Sequence, residues 1–94
     1  DLAFELLKVL RANYPDELIA RYKLDGLMDD DEEKYDEYGE PINPVLADME
    51  AIAKKRGFML SGGRIDYERT GRAVLDEFRA GLIGKISLER PEHR

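Results

Sequence analysis

Residues 43–57 run Asn43-Pro44-Val45-Leu46-Ala47-Asp48-Met49-Glu50-Ala51-Ile52-Ala53-Lys54-Lys55-Arg56-Gly57, and this stretch decides the fold class. Asn43 is a residue type that caps helix N-termini, and Pro44 is preorganised for the first helical position. Val45, Met49, Ile52 and Arg56 trace one stripe at helical spacing, with Leu46 and Ala53 beside it. Lys54, Lys55 and Arg56 complement the last carbonyls, and Gly57 suits the left-handed residue that ends a helix. Both ends and one face are thus written into the segment, which predicts an amphipathic helix.

Its neighbours read the same way. Leu2, Leu6 and Leu10 recur every four residues, flanked by Ala3, Leu7 and Tyr14 with Phe4 and Val9 beside them. A helix over 2–13 that is apolar around most of its circumference must be well buried. Pro15 ends it, because the residue before proline avoids the α region. The same proline then opens a short helix with Asp16 and Glu17 at its positive end and Leu18, Ile19 and Tyr22 on its apolar side. Asp66 caps a last helix whose Tyr67, Gly71, Val74, Leu75 and Phe78 share a face, and Gly81 terminates it. Gly71 within that face predicts close approach of a neighbouring helix. Ser61-Gly62-Gly63 reads as a turn.

The expectation is an all-α domain, a compact bundle of four to five short helices. Its core should come from Leu6, Leu7, Leu10, Ile19, Met49, Ile52, Val74, Leu75 and Phe78. No sheet is expected, beyond a little extended backbone near Ile86. The 94 residues suit a single domain over 1–94. Two segments stand apart. Residues 29–44 hold eight acids against Lys34 and read as an acidic mobile loop with a helical turn around Tyr35 and Tyr38. Residues 90–94 read as a disordered tail.

Composition narrows the chemistry. There is no cysteine, which excludes disulfides, thiolate metal sites and cysteine nucleophiles and fits a reducing cytoplasm. No apolar run is long enough to span a membrane. The chain opens on Asp1 and reads as a piece of something longer. Its net charge of -6 is unevenly spread. Residues 1–50 carry 15 acids and 5 bases, and residues 51–94 carry 6 acids and 10 bases. That asymmetry points to a basic working end and an acidic appendage.

Candidate motifs mostly dissolve into plain readings. Leu60-Ser61-Gly62-Gly63-Arg64 resembles the signature loop of ABC ATPases, but no phosphate loop accompanies it, so it reads as a turn. Asp29, Asp31, Glu33, Tyr35, Glu37 and Glu40 fall in the register of a calcium loop. Lys34 stands where that loop needs glycine, so no metal site is assigned. His93 lies in the tail without a partner. Asp76 and Glu77 are neighbours on a helix and diverge, so they do not pair as acid and base. The basic residues carry more weight. Arg69, Arg72 and Arg79 fall within about 80° on a helical wheel, away from the Val74 and Phe78 face. Arg64 precedes them, and Lys54, Lys55, Arg56 and Lys85 complete the set. Such a set either contacts a phosphate backbone or forms a solvated face paired with Glu68 and Asp76.

Several runs together carry a family resemblance. They are Lys55-Arg56-Gly57-Phe58, Gly62-Gly63, Asp66, Arg69, Glu77-Phe78-Arg79-Ala80-Gly81, Gly84-Lys85-Ile86 and Leu88-Glu89, with Asn13-Tyr14-Pro15 and Arg21-Tyr22 upstream. In order and spacing they resemble the C-terminal helical domain of the ribosome biogenesis GTPase A family. That resemblance implies an N-terminal, circularly permuted GTPase domain elsewhere in the parent, which holds GTP and Mg. It implies a helical domain similar to ANTAR-type bundles that contacts rRNA of the large ribosomal subunit in the cytoplasm. No guanine-reading or phosphate-loop motif is present, so the fragment itself is expected to be non-catalytic. Lys54, Lys55, Arg56, Arg64, Arg69, Arg72, Arg79 and Lys85 are the expected RNA contacts. The alternative is a protein-interaction module that uses Phe58–Leu60 or Leu82–Leu88 to dock on its own GTPase domain or on a ribosomal protein. Three departures from the family pattern stand out: Leu82 in place of a basic residue, Thr70-Gly71 in place of two alanines, and the acidic segment.

Overall fold

A computed structural model describes residues 2–28 and 34–84. Four helices follow in order: α1 (Leu2–Asn13), α2 (Pro15–Tyr22), α3 (Pro44–Arg56) and α4 (Tyr67–Arg79), with a single 3-10 turn at Ser61–Gly63. Among the described residues there is no strand. Two isolated antiparallel bridges, Tyr35 to Pro41 and Met59 to Ile65, are the only extended pairings there. The all-α bundle expected from the sequence is the fold observed.

The helix ends lie where the capping chemistry puts them. Asn43 Oδ1 accepts a hydrogen bond from the Val45 amide at 2.9 Å. Gly57 closes α3 at φ 73°, with its amide donating to Ala53 O. Asp66 Oδ1 accepts from the Arg69 amide at 3.1 Å and opens α4. Lys23 ends α2 at φ 55°, the one described non-glycine residue with positive φ. The chain reverses there, and the Leu24 amide donates back to Ile19 O at 3.0 Å.

α1 is the centre of the bundle and packs on α2, α3 and α4, while α3 also packs on α4. Leu6, Leu7, Leu10, Met49, Ile52 and Val74 are buried as expected. Ile19, Leu75 and Phe78 are only half-buried and pack against the rim of that cluster. Leu18 takes the central place assigned to Ile19. Leu18 and Tyr22, two of the three residues on the apolar side predicted for α2, are its buried edge, and Ile19 lies at the margin. Ile83 lies beyond α4 and outside the expected core list, yet it is buried and belongs to the core cluster.

Gly71 fulfils its expectation. A Cβ built there would lie 3.0 Å from the Ala3 Cβ and 3.3 Å from the Met49 Cε. The backbones of α1 and α4 therefore meet at a position only glycine fills without adjustment. The neighbouring Thr70 is fully buried, and its hydroxyl donates to Asp66 O at 2.8 Å. The departure Thr70-Gly71 is thus a packing feature of the α1–α4 contact.

The acidic segment is partly described. Residues 34–42 form a tight reversal, where the helical turn expected around Tyr35 and Tyr38 does not occur. Asp36 Oδ1 accepts from the Tyr38 and Glu40 amides at 2.8 and 3.0 Å, and the Ile42 amide donates to Lys34 O at 2.9 Å. A side-chain acceptor that captures two amides competes directly with helix formation, which is why the turn wins. Residues 29–33, Lys85, Ile86 and the 90–94 tail lie outside the described residues.

Candidate nucleic-acid interface

A partly buried polar network joining three helices is centred on Glu77. Its carboxylate receives Arg56 in a bidentate fork, Nη1 to Oε2 at 2.8 Å and Nη2 to Oε1 at 3.0 Å. Arg21 Nε also donates to Oε1 at 2.9 Å. Burial works against the charged form of Glu77, but the hydrogen bonds from Arg56, then Arg21, outweigh it and hold its carboxyl below the usual carboxylate range. The fork likewise holds the Arg56 guanidinium protonated. Tyr22 lies under Arg56, whose guanidinium carbon is 5.0 Å from the ring centroid. Burial, then the nearby Glu77 charge, pushes the Tyr22 hydroxyl up; that hydroxyl is buried beside the carboxylate without a well-aligned hydrogen bond.

One carboxylate therefore organises two arginines from α2 and α3. Above them opens a hollow of about 330 Å³ lined by Arg21, Tyr22, Lys23, Lys55 and Arg56. Arg21 and Arg56 bind Glu77, Lys23 and Lys55 line the hollow beside them, and Glu17 shares the adjoining hollow with Arg21 and Lys23, so four cations against two carboxylates leave an excess of positive charge. It is where the C-terminal ends of α2 and α3 meet. Sequence reasoning found Lys55 and Arg56 but missed Arg21 and Lys23. Basic residues at the end of each helix are legible, but nothing local says that those two ends converge.

The remaining expected contacts divide into separate places. Arg72 pairs with Glu68 at 3.4 Å and Arg79 with Asp76 at 3.9 Å, all four well exposed. Exposed helix pairs of this kind are weak and screened by salt. They do, however, leave the outer face of α4 close to neutral, because the same hollow is lined by both acids and both arginines. Arg69 is exposed and stacks on Phe58, with its guanidinium carbon 4.5 Å from the ring centroid. Arg64 is exposed beside the 3-10 turn, and its Nε donates weakly to Ser61 O at 3.4 Å. Lys54 is exposed and shares a hollow with Asp36 of the acidic reversal. Lys85 lies outside the described residues. The eight expected cations therefore do not form one patch, and Lys55 and Arg56 are the two that join a new, net-positive site.

Other chemistry is not supported by geometry. Among the described residues, no group of three or more histidine, aspartate or glutamate side chains is placed to hold a metal ion. None of the described helices is long and apolar enough to cross a membrane.

No family model matches the chain. Over 98% of its length it is 36% identical to ribosome biogenesis GTPase A of Bacillus cereus, of which it covers 26%. Over the same share it is 32% identical to the protein of that name from Bacillus licheniformis and 33% identical to that of Bacillus pumilus, covering 28% of each. The chain thus spans about a quarter of the length of these relatives, the share of one domain in a longer protein. The resemblance read from its motifs thus extends along nearly the whole chain.

Proposed function

Because the chain is related, over almost its whole length, to about a quarter of ribosome biogenesis GTPase A, we propose that it is an rRNA-docking domain of a ribosome-assembly GTPase. It acts in the cytoplasm on the large ribosomal subunit and is non-catalytic. GTP and Mg belong to a GTPase domain elsewhere in the parent. The observation that carries this reading is the hollow of Arg21, Lys23, Lys55 and Arg56 around Glu77. Guanidiniums positioned by a shared carboxylate, with their remaining N–H groups and two exposed lysines beside them, suit phosphate oxygens. Contacts of this type position a protein on RNA more than they read sequence.

Co-sedimentation of the chain with purified large subunits at low and moderate salt tests the proposal. With about four phosphates neutralised, counterion release predicts an affinity loss of about a hundredfold between 50 and 200 mM salt. Lys23→Glu/Lys55→Glu leaves the Glu77 network intact and should abolish binding. Arg72→Glu/Arg79→Glu, on the self-neutralised face, should weaken it much less. A salt-independent interaction, or equal losses in the two variants, would refute the assignment.

A second reading rests on exposed apolar side chains. Met59, Leu60 and Leu82 are exposed, whereas Phe58 is half-buried and Ile83 is buried. A protein-docking module would use those three residues on its GTPase domain or a ribosomal protein. Binding to a separately supplied GTPase domain, lost on Leu60→Ser/Leu82→Ser and insensitive to salt, would favour it.

A further inference from the structure

The Arg69–Phe58 stack is not explained by a phosphate-binding role. Arg69 is exposed and, among the described residues, its guanidinium has no carboxylate partner, unlike Arg72 and Arg79. It lies instead over an aromatic ring at 4.5 Å. Both members are rooted in fixed backbone. The Phe58 amide donates to Ala53 O at 2.9 Å and its carbonyl accepts the Asp66 amide at 2.9 Å. The Arg69 amide is held by the cap at Asp66. The two ends of the Phe58–Ile65 excursion are thus tied to the two helices that flank it. The backbone that carries both side chains is therefore fixed before any ligand arrives, which lowers the ordering cost of binding.

The Phe58 ring takes one side of the guanidinium at 4.5 Å, and the residue as a whole is exposed. Unpaired nucleobases bind proteins by stacking on aromatic rings and on arginine planes. We propose that the outer face of Arg69, backed by Phe58, is a stacking platform for one unpaired nucleobase of RNA. The inference rests on the RNA-docking reading and deepens it. The Arg21–Lys55 hollow takes phosphate, whereas Arg69 takes a base and so favours looped over fully paired RNA.

The test uses a short RNA hairpin carrying 2-aminopurine in an unpaired loop, and a blunt duplex of equal length as comparison. The variant Arg69→Lys keeps the charge and removes the plane. Phe58→Leu keeps the apolar anchor and removes the ring, and its melting curve checks that the bundle is intact. Wild type should bind the looped RNA more tightly than the duplex and quench 2-aminopurine fluorescence. Arg69→Lys should lose about five- to a hundredfold of affinity for the looped RNA, with the quench gone, while duplex affinity and salt slope stay unchanged. Wild-type affinity of Arg69→Lys for the looped RNA, or an equal loss on both RNAs, would overturn the platform and leave phosphate docking standing. Failure of wild type to bind either RNA would overturn both.

Discussion

Replacing Gly71 with alanine probes how closely α1 and α4 are locked. The new Cβ would stand 3.0 Å from the Ala3 Cβ and 3.3 Å from the Met49 Cε. Carbon atoms are at ease at about 3.5–4.0 Å, so the shortfall against Ala3 is about 0.5–1 Å. The end of Met49 is a flexible thioether that can swing aside. The Ala3 methyl is fixed to the α1 backbone and cannot, so the whole helix must give. Overpacking of this kind costs about 1–3 kcal/mol. Alanine returns about 1 kcal/mol through its better helix propensity. The net expectation is a destabilisation of about 1 kcal/mol, which lowers Tm by about 4–8 °C in a domain of this length. Thermal and urea melts of Gly71→Ala, Ala3→Gly and the double variant measure it. Ala3→Gly removes the opposing methyl, so the double variant should be more stable than the sum of the singles by about 1 kcal/mol. A Gly71→Ala protein at least as stable as wild type, with no coupling to position 3, would refute the close approach.

Three further outcomes follow from buried polar groups. Glu77→Gln should cost about 1–2 kcal/mol, discounted because both arginine partners remain partly exposed to solvent. Because the folded Glu77 carboxyl titrates below its ordinary value of 4.5, its contribution is present above pH 4.5 and is lost as pH falls through the folded value. The acid limb of the stability–pH curve should therefore flatten in Glu77→Gln, and an unchanged limb would exclude the network as its source. Tyr22 works at the other end. Its hydroxyl is raised above 10.0, so that contribution is present below pH 10 and lost as pH rises through the folded value, a loss that Tyr22→Phe should abolish. Arg11 and Asp48 form a pair at 2.7 Å with both side chains about nineteen-twentieths buried. Asp48→Asn should cost about 3 kcal/mol by chemical denaturation, and Arg11→Met/Asp48→Leu should recover most of it.

The helix boundaries were legible because each end carries a chemical instruction: Pro15, Asn43-Pro44, Gly57 and Asp66. The place of Gly71 was legible because a glycine on an apolar stripe has few other reasons to be there. Leu18 was not chosen over Ile19, since a helix as short as Pro15–Tyr22 has too few turns for its stripe to be resolved. Nothing in either helix alone marks Arg11 or Asp48 as a member of a buried pair. Only the α1–α3 contact makes them a pair. The same limit applies to the basic site. The arginines of α4 drew attention by their periodicity, yet Arg72 and Arg79 are offset by acids at i,i+4 and i,i+3 spacing, and Arg69 lies apart over Phe58. The hollow that keeps its charge is built from residues 34 or so positions apart in sequence, Arg21 and Lys23 against Lys55 and Arg56.

Arg11 does one more thing: its Nη2 donates to Met28 O. The chain is therefore anchored to α1 immediately before the most acidic positions. Immediately after them, Lys34 is clasped by the Ile42 amide. One side chain of α1 thus holds two partners, Asp48 of α3 and the backbone that follows α2. Arg11→Met should therefore loosen residues 24–28 as well as break the ion pair, read as faster amide hydrogen exchange in that stretch than in the body of α1.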